Sequence, residues 1–86
     1  MSKERTENAL WNIRKYLMHK HGCDMAEYDI KALEWYIDTG RASVDFLKAL
    51  HSAKPFMIGR LLHKGGSYDE IIERVKKYIG VENSRE

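Results

Sequence analysis

Disulfide pairs and long apolar runs are missing from this sequence, and proline is nearly absent; each lack excludes a class of protein. One cysteine, Cys23, cannot build a disulfide framework, which is typical of a reducing cytoplasm. No apolar run is long enough to span a bilayer, and no signal-peptide pattern opens the chain, so we expect a cytoplasmic protein without a membrane segment. With one proline, Pro55, and no Gly-rich or Ser-rich linker, residues 1–86 are expected to form a single domain.

Strand signals are also scarce, whereas apolar residues recur at helical spacing along most of the chain. A composition of 43% hydrophobic and 33% charged residues is typical of a globular protein rather than a disordered one. The pattern predicts an all-α fold, a small bundle of four to five helices that contains a helix-turn-helix. Residues 81–86 are expected to form a flexible polar tail.

The first two helices are predicted from their apolar spacing and their end residues. The first runs from near Thr6 to Lys20. The second has Asp24 as its cap, with Glu27 three residues later completing a variant of the capping box, and ends at Gly40. The residues expected on the buried sides are Leu10, Ile13 and Leu17 in the first helix and Ala26, Ile30, Leu33 and Ile37 in the second.

The last helix has the most specific start signal in the chain. Ser67 followed by Glu70 is a capping box, and Gly80 is expected to stop the helix. Glu73 and Lys77 are spaced to form an i,i+4 ion pair on its outer side. Its expected apolar side comprises Tyr68, Ile71, Ile72, Val75, Tyr78 and Ile79.

Between these helices, residues 41–64 read RASVDFLKALHSAKPFMIGRLLHK and predict two short helices separated by a tight turn. Ser43 is a good N-cap because its hydroxyl can accept a hydrogen bond from an otherwise unpaired backbone N–H. Pro55 suits the first turn of the second short helix, and Gly65-Gly66 ends it. The residues expected to face inward are Val44, Leu47 and Leu50 in the first short helix and Ile58, Leu61 and Leu62 in the second.

The net charge of +2 is distributed unevenly. Residues 41–66 carry five basic residues and one acidic residue, whereas residues 24–40 carry one basic and five acidic residues. The acidic set is interpreted as a solvated helix face rather than a catalytic pair. A basic excess on a helix-turn-helix favours double-stranded DNA or an acidic protein as partner, although ordinary solvated charge explains so small a patch about as well.

On a helical wheel Phe56, Arg60 and His63 face away from the core, and Gly59 leaves a notch on one flank. An outward arginine can pair with guanine in the major groove, and a lysine at a helix N-terminus, here Lys54, lies near phosphate. The leading interpretation is a DNA-binding protein with a regulatory or accessory role such as transcription regulation, acting alone or as a dimer. The residues predicted to bind DNA are Arg60, Lys54, Lys48, His63, Lys64 and Arg41.

Phe56 and Met57 support a second interpretation, because an outward Phe is not a usual reader of phosphate or base edges. Aromatic residues and Met are enriched at protein interfaces. The alternative is therefore a protein-binding module or small inhibitor of the phage type that uses the Phe56 and Met57 face of the same helix. A homodimer that buries Phe56 or Trp11 is a third arrangement.

Residues 32–62, ALEWYIDTGRASVDFLKALHSAKPFMIGRLL, resemble the winged-helix γ domain of the FtsK/SpoIIIE DNA translocases. Residues 41–43, Arg-Ala-Ser, and residues 59–62, Gly-Arg-Leu-Leu, match two blocks of that family with no gap between them. The family has polar residues where this chain has Phe56 and Met57, and a wing hairpin where the Ser67 capping box predicts a helix. The resemblance therefore implies a wingless helix-turn-helix relative that binds DNA.

Other chemistry has little support in the sequence. His19-x-His21-x-Cys23 has the residue types of a metal site, but a structural zinc site needs four ligands, usually in paired groups. Cys23 has no base and orienting group beside it in the sequence that would make it a nucleophile. We therefore expect no enzyme activity, no metal and no cofactor.

Overall fold

The computed structural model describes residues 3–80, and within that range the backbone forms five α-helices and no strand. The helices are α1 (Lys3–His21), α2 (Cys23–Asp38), α3 (Val44–Ser52), α4 (Pro55–His63) and α5 (Tyr68–Ile79). The all-α class and the small bundle are therefore confirmed. The tail at 81–86, predicted to be flexible, lies outside the described residues.

Three helix ends follow the predicted capping. The Ser43 hydroxyl accepts a hydrogen bond from the Phe46 N–H at 3.0 Å, and Pro55 occupies the first turn of α4. At α5 the Ser67 hydroxyl accepts from the Glu70 N–H, while the Glu70 carboxylate accepts from the Ser67 N–H. These contacts satisfy N–H groups that a helix start leaves without intrahelical partners.

The predicted start of α2 is wrong. The helix begins at Cys23 after Gly22, whose φ of 95° makes the tight turn from α1, and no side chain caps it. Glu27, assigned to a capping box with Asp24, instead binds the Arg14 guanidinium on α1. A one-residue connection places the two helices side by side, so Glu27 lies opposite α1 rather than folding back onto its own helix.

The core is built from all five helices, but the side chains that α3 buries are not all the ones that the apolar spacing predicted. Val44, predicted to face inward, is 56% exposed, whereas Phe46 is 1% exposed and packs its ring edge-on against Tyr36. Phe46 and Leu50 are one helical turn apart, so they form the buried stripe of α3. The buried apolar residues are Ile13, Leu17, Ala26, Ile30, Ala32, Leu33, Phe46, Leu50, Ile58, Leu62, Ile71, Ile72 and Val75.

The backbones of α1, α2, α4 and α5 each lie close to three other helices, and that of α3 lies close to two. α1 and α2 pack side by side, α4 packs on α1, α2 and α5, and α3 packs on α1 and α5. Within residues 3–80, no Cα of α3 lies within 8 Å of a Cα of α4. The structure therefore does not confirm a helix-turn-helix, which stays a prediction.

The outer surface of α5 also differs in detail from expectation. Tyr68 and Tyr78, placed on the apolar side, are 40% and 41% exposed, while Ile71, Ile72 and Val75 are buried as expected. Glu73 pairs with Lys76 at 3.5 Å, an i,i+3 contact, rather than with Lys77.

In the part of the chain that is described, no helix combines the length and apolar character needed to cross a bilayer.

Candidate functional site

The face of α4 that was expected to point outward borders the C-terminal half of α1. Arg60 is exposed, and Phe56 is 43% exposed with its ring centroid 6.5 Å from that of Tyr16. His63 is only partly accessible because its ring lies on that of His21. The outward face therefore forms one wall of a groove rather than a free convex surface.

Gly59 allows this close approach of α1 and α4. The residue is buried, and a Cβ built on it would lie 2.6 Å from the Cδ2 atom of Tyr16. That distance is shorter than van der Waals contact, so any side chain at 59 would displace the Tyr16 ring. The notch that the sequence predicted at Gly59 is filled by Tyr16.

Two histidines and one buried carboxylate join α1, α2 and α4. The His21 and His63 rings are stacked, with centroids 3.5 Å apart and planes inclined by 6°. His63 Nδ1 lies 2.7 Å from Oδ2 of Asp29, and an ionised carboxylate can only accept, so the imidazole N–H donates to it. Asp29 is 5% exposed, which corrects its assignment to a solvated face. A carboxylate this deeply buried requires a partner, and His63 supplies it.

A groove with a volume of about 430 Å³ lies between the C-terminal half of α1 and α4, and we call it the α1–α4 groove. Its half-buried walls are Tyr16, His21, Met57, Leu61 and His63. Its exposed rim is Lys20, Arg60 and Lys64. None of the described residues lining it is acidic, so the groove combines apolar walls with a cationic rim.

The structure brings together only some of the residues predicted to bind a partner. Arg60, His63 and Lys64 line the α1–α4 groove, and so does Met57. Phe56 lies beside Tyr16 but does not line the groove.

Three of the predicted DNA-binding residues do not line the groove. Lys48 and Lys54 are exposed on α3 and at the start of α4. The Arg41 guanidinium lies 4.9 Å from the centre of the Trp35 ring, an arrangement that favours a cation–π contact. The six residues are therefore not all gathered at one groove.

The acidic face of α2 is only partly solvated. Arg14 of α1 donates to the carboxylates of Glu27 and Glu34, the latter at 2.7 Å. Glu27 and Glu34 are seven residues apart, two helical turns, so they share one face of α2. Asp24 and Asp38 are exposed as predicted. The interpretation of the set as a solvated face is wrong for Asp29, which is buried, whereas the Glu27 side chain is 62% exposed and the Glu34 side chain is 35% exposed.

Sequence reasoning missed the α1 side of the groove and the buried carboxylate. For Asp29 a signal was present, since it follows Ala26 by three residues and precedes Leu33 by four, which places it on the buried seam of α2. Tyr16, Lys20 and His21 carried no comparable signal, because their role depends on where α4 packs.

The His, Cys, Asp and Glu side chains of residues 3–80 form no metal site. No group of three or more His, Cys, Asp or Glu side chains in this range is arranged to hold a metal ion. Cys23 and His19 are exposed at the α1–α2 corner.

Comparison of the chain with protein-family profiles, with curated proteins and with solved structures finds no match.

Proposed function

We propose that this chain is a protein-binding module whose α1–α4 groove holds an acidic segment of a partner protein. One observation carries the proposal: a groove of about 430 Å³ combines apolar walls with three exposed cations, and no acidic residue is among the described residues that line it.

Charge complementarity favours an acidic occupant. Lys20 belongs to α1, Arg60 to α4, and Lys64 follows α4 directly, so a bound segment meets cations from both sides of the groove. Complementary charge speeds the encounter and excludes partners of the wrong sign more than it adds affinity. The rim therefore selects the partner by charge.

Apolar side chains of the occupant find contact surface between Tyr16, Met57 and Leu61. Methionine is flexible and polarisable, so it adapts to aromatic and aliphatic partners. Phe56, 43% exposed beside Tyr16, extends this apolar surface past the end of the groove. An amphipathic helix with apolar residues on one face and carboxylates on its flanks fits these features.

Selection from a random peptide library displayed on phage tests the proposal with the full chain as bait. We expect enriched peptides to carry acidic residues on either side of an aromatic or aliphatic residue. Leu61→Asp should abolish their binding by placing a charge in the apolar wall, and Arg60→Glu should weaken it by about tenfold or more, as for a charge reversal at a complementary interface.

Lys48→Glu is the matched control for Arg60→Glu, because it makes the same reversal from basic to acidic at an exposed site on α3 outside the groove. The proposal fails if no peptide is enriched, or if enriched peptides bind the Leu61→Asp and Arg60→Glu variants as well as they bind the original chain.

We propose double-stranded DNA as the second candidate partner, in a regulatory role such as transcription regulation. The start of α4 favours DNA, because no side chain caps this helix and its first turn holds no acidic residue. The positive end of the helix dipole therefore stays uncompensated beside Lys54, where a phosphate could bind. The resemblance of residues 32–62 to a DNA-binding family points the same way.

Gel-shift titration with duplex DNA at low and moderate salt distinguishes this candidate. Phosphate contacts would make affinity fall steeply with salt, and Lys54→Ala and Arg60→Ala would weaken binding of every duplex. No retardation of any duplex at low salt would rule out DNA and leave the peptide proposal in place.

A homodimer is a further proposal, supported by the exposure of Trp11 at 53% and Phe56 at 43%. Sedimentation equilibrium tests it directly, and Trp11→Lys and Phe56→Lys should each dissociate the dimer if that residue lies at its centre. A molar mass equal to that of one chain at every concentration would exclude it.

A further inference from the structure

The two histidines of the α1–α4 groove lie so close together that a positive charge on one ring would repel a positive charge on the other. Their ring centroids are 3.5 Å apart and their planes are inclined by only 6°, so the rings are in van der Waals contact and no anion fits between them. Like charges at this separation repel strongly unless an opposite charge lies nearby. The His21–His63 pair is therefore sensitive to whatever charge enters the groove.

The charged surroundings of the pair are mostly positive. Among the described residues Asp29 supplies an acidic contact to the pair, and its carboxylate accepts the His63 Nδ1–H at 2.7 Å. Arg74 donates to the carbonyl oxygens of Leu61 and Gly65 at the end of α4. The titratable and charged groups of the packed elements that surround the pair are Tyr16, Lys20, Asp29, Arg60, Lys64 and Arg74.

We infer that an acidic segment entering the α1–α4 groove draws a proton from solvent onto the His21–His63 pair, so that binding tightens as the pH falls. This inference rests on the function proposed above and adds a means of regulation to it. Lys20, Arg60 and Lys64 line the same groove, so a positive charge added to the stacked rings is repelled by three cations. A carboxylate of the partner supplies the negative charge that offsets this repulsion.

Asp29 determines where the proton goes. It is buried and fixes the orientation of His63 from the side of α2, so the His63 ring cannot turn away when the groove fills. The proton is taken up by the pair at the ring nitrogens that Asp29 does not hold. Because the two rings interact closely, uptake belongs to the pair and is not divided between them.

Isothermal titration calorimetry provides the test, with an acidic peptide from the display selection as the probe. Titrations near neutral pH in two buffers of different ionisation enthalpy count the protons taken up on binding. We expect uptake of a substantial fraction of one proton and binding about tenfold tighter near pH 6 than near pH 7.5, as linkage requires for such uptake.

His21→Gln and His19→Gln form a matched pair of variants. Both replace a histidine of the last turn of α1, but His19 is exposed and does not line the groove. We expect His21→Gln to remove the proton uptake and the pH dependence of binding. Because His21 lines the groove, the affinity of this variant at pH 6 is compared with its own affinity at pH 7.5. We expect His19→Gln to change neither.

The outcomes separate this inference from the proposed function. A peptide that binds with equal affinity at both pH values, without proton uptake, overturns the inference and leaves the groove as a binding site. Proton uptake that survives in His21→Gln also overturns it. Failure of every peptide to bind removes the proposed function and the inference together.

Discussion

Gly59 sets the distance between α4 and α1, since a Cβ at this position would lie 2.6 Å from the Tyr16 ring. We predict that Gly59→Ala lowers the free energy of unfolding by about 1 kcal/mol, because overpacking outweighs the gain in helix propensity. Urea denaturation followed by circular dichroism measures the change.

Tyr16→Ala provides the internal control for this prediction. With the ring removed, the nearest remaining atom to the alanine Cβ is Leu17 Cδ2 at 3.5 Å, an ordinary van der Waals contact. The higher helix propensity of alanine should then make Gly59→Ala stabilising by about 0.5–1 kcal/mol. A Gly59→Ala effect of the same sign in both backgrounds would show that the Tyr16 contact is not what the glycine accommodates.

His51 of α3 makes stability depend on pH. Burial, and secondarily the positive charge of Arg5, hold the pKa of His51 below its ordinary value of 6.5. Its Nε2 lies 2.9 Å from the Thr6 hydroxyl. The unfolded chain therefore binds this proton more readily than the folded chain does, and stability present above pH 6.5 is lost as the pH falls through the lower, folded pKa.

We predict that the free energy of unfolding falls between about pH 7.5 and pH 5.5, and that His51→Gln reduces this fall, because glutamine does not titrate. Urea denaturation at several pH values measures it. His19→Gln is the comparison, since His19 is exposed on the surface of α1. An unchanged pH profile in His51→Gln would show that other groups cause the fall.

At the scale of a single helix, α5 depends on its N-terminal cap. The reciprocal hydrogen bonds of Ser67 and Glu70 satisfy two backbone N–H groups in the first turn. We predict that Ser67→Ala lowers the free energy of unfolding by about 1 kcal/mol, as loss of a serine cap does in other helices. The midpoint of urea denaturation measures the loss.

Ser52→Ala is a suitable comparison, because Ser52 is exposed at the last position of α3 and caps no helix start. It should leave the midpoint nearly unchanged. If both alanine variants have the same stability, the capping box of α5 contributes nothing measurable.

The helix starts that could be predicted from the sequence are those whose partners lie within a few residues. Ser43 and Ser67 bond N–H groups three residues away, so local sequence carries all the information needed. Glu27 has the same spacing from Asp24, yet it binds Arg14 on another helix. A capping-box spacing does not predict the contact of a side chain when a residue of another helix binds that side chain instead.

Which face of a short helix is buried could not be predicted as well, because neighbouring helices decide it. Val44 and Phe46 are both apolar, and the helices around α3 make Phe46 the buried one, with its ring against Tyr36 of α2. The groove follows the same rule. Arg60 and Met57 were identified from α4, but Tyr16 and His21 join them only because Gly59 lets α1 pack closely.

The five helices do not share the core equally. α2 packs on α1, α4 and α5 and buries Ala26, Ile30, Ala32 and Leu33. α3 packs on α1 and α5 and buries only Phe46 and Leu50 among its nine residues. Non-helical segments at 41–43 and 53–54 flank it on both sides. α3 can therefore separate from the bundle without breaking any contact among α1, α2 and α4.

We predict that native-state hydrogen exchange finds α3 the less stable unit. Amides of α3 should exchange through local opening, with a free energy at least about 1 kcal/mol below that of the α2 amides, which should exchange only on global unfolding. Exchange followed by NMR at increasing denaturant concentration measures both sets. Equal opening free energies in the two helices would mean that the bundle unfolds as one unit and that α3, despite its smaller buried area, is held as firmly as α2. In that case α3 could not open without unfolding the walls of the α1–α4 groove, whereas early opening of α3 alone leaves those walls intact.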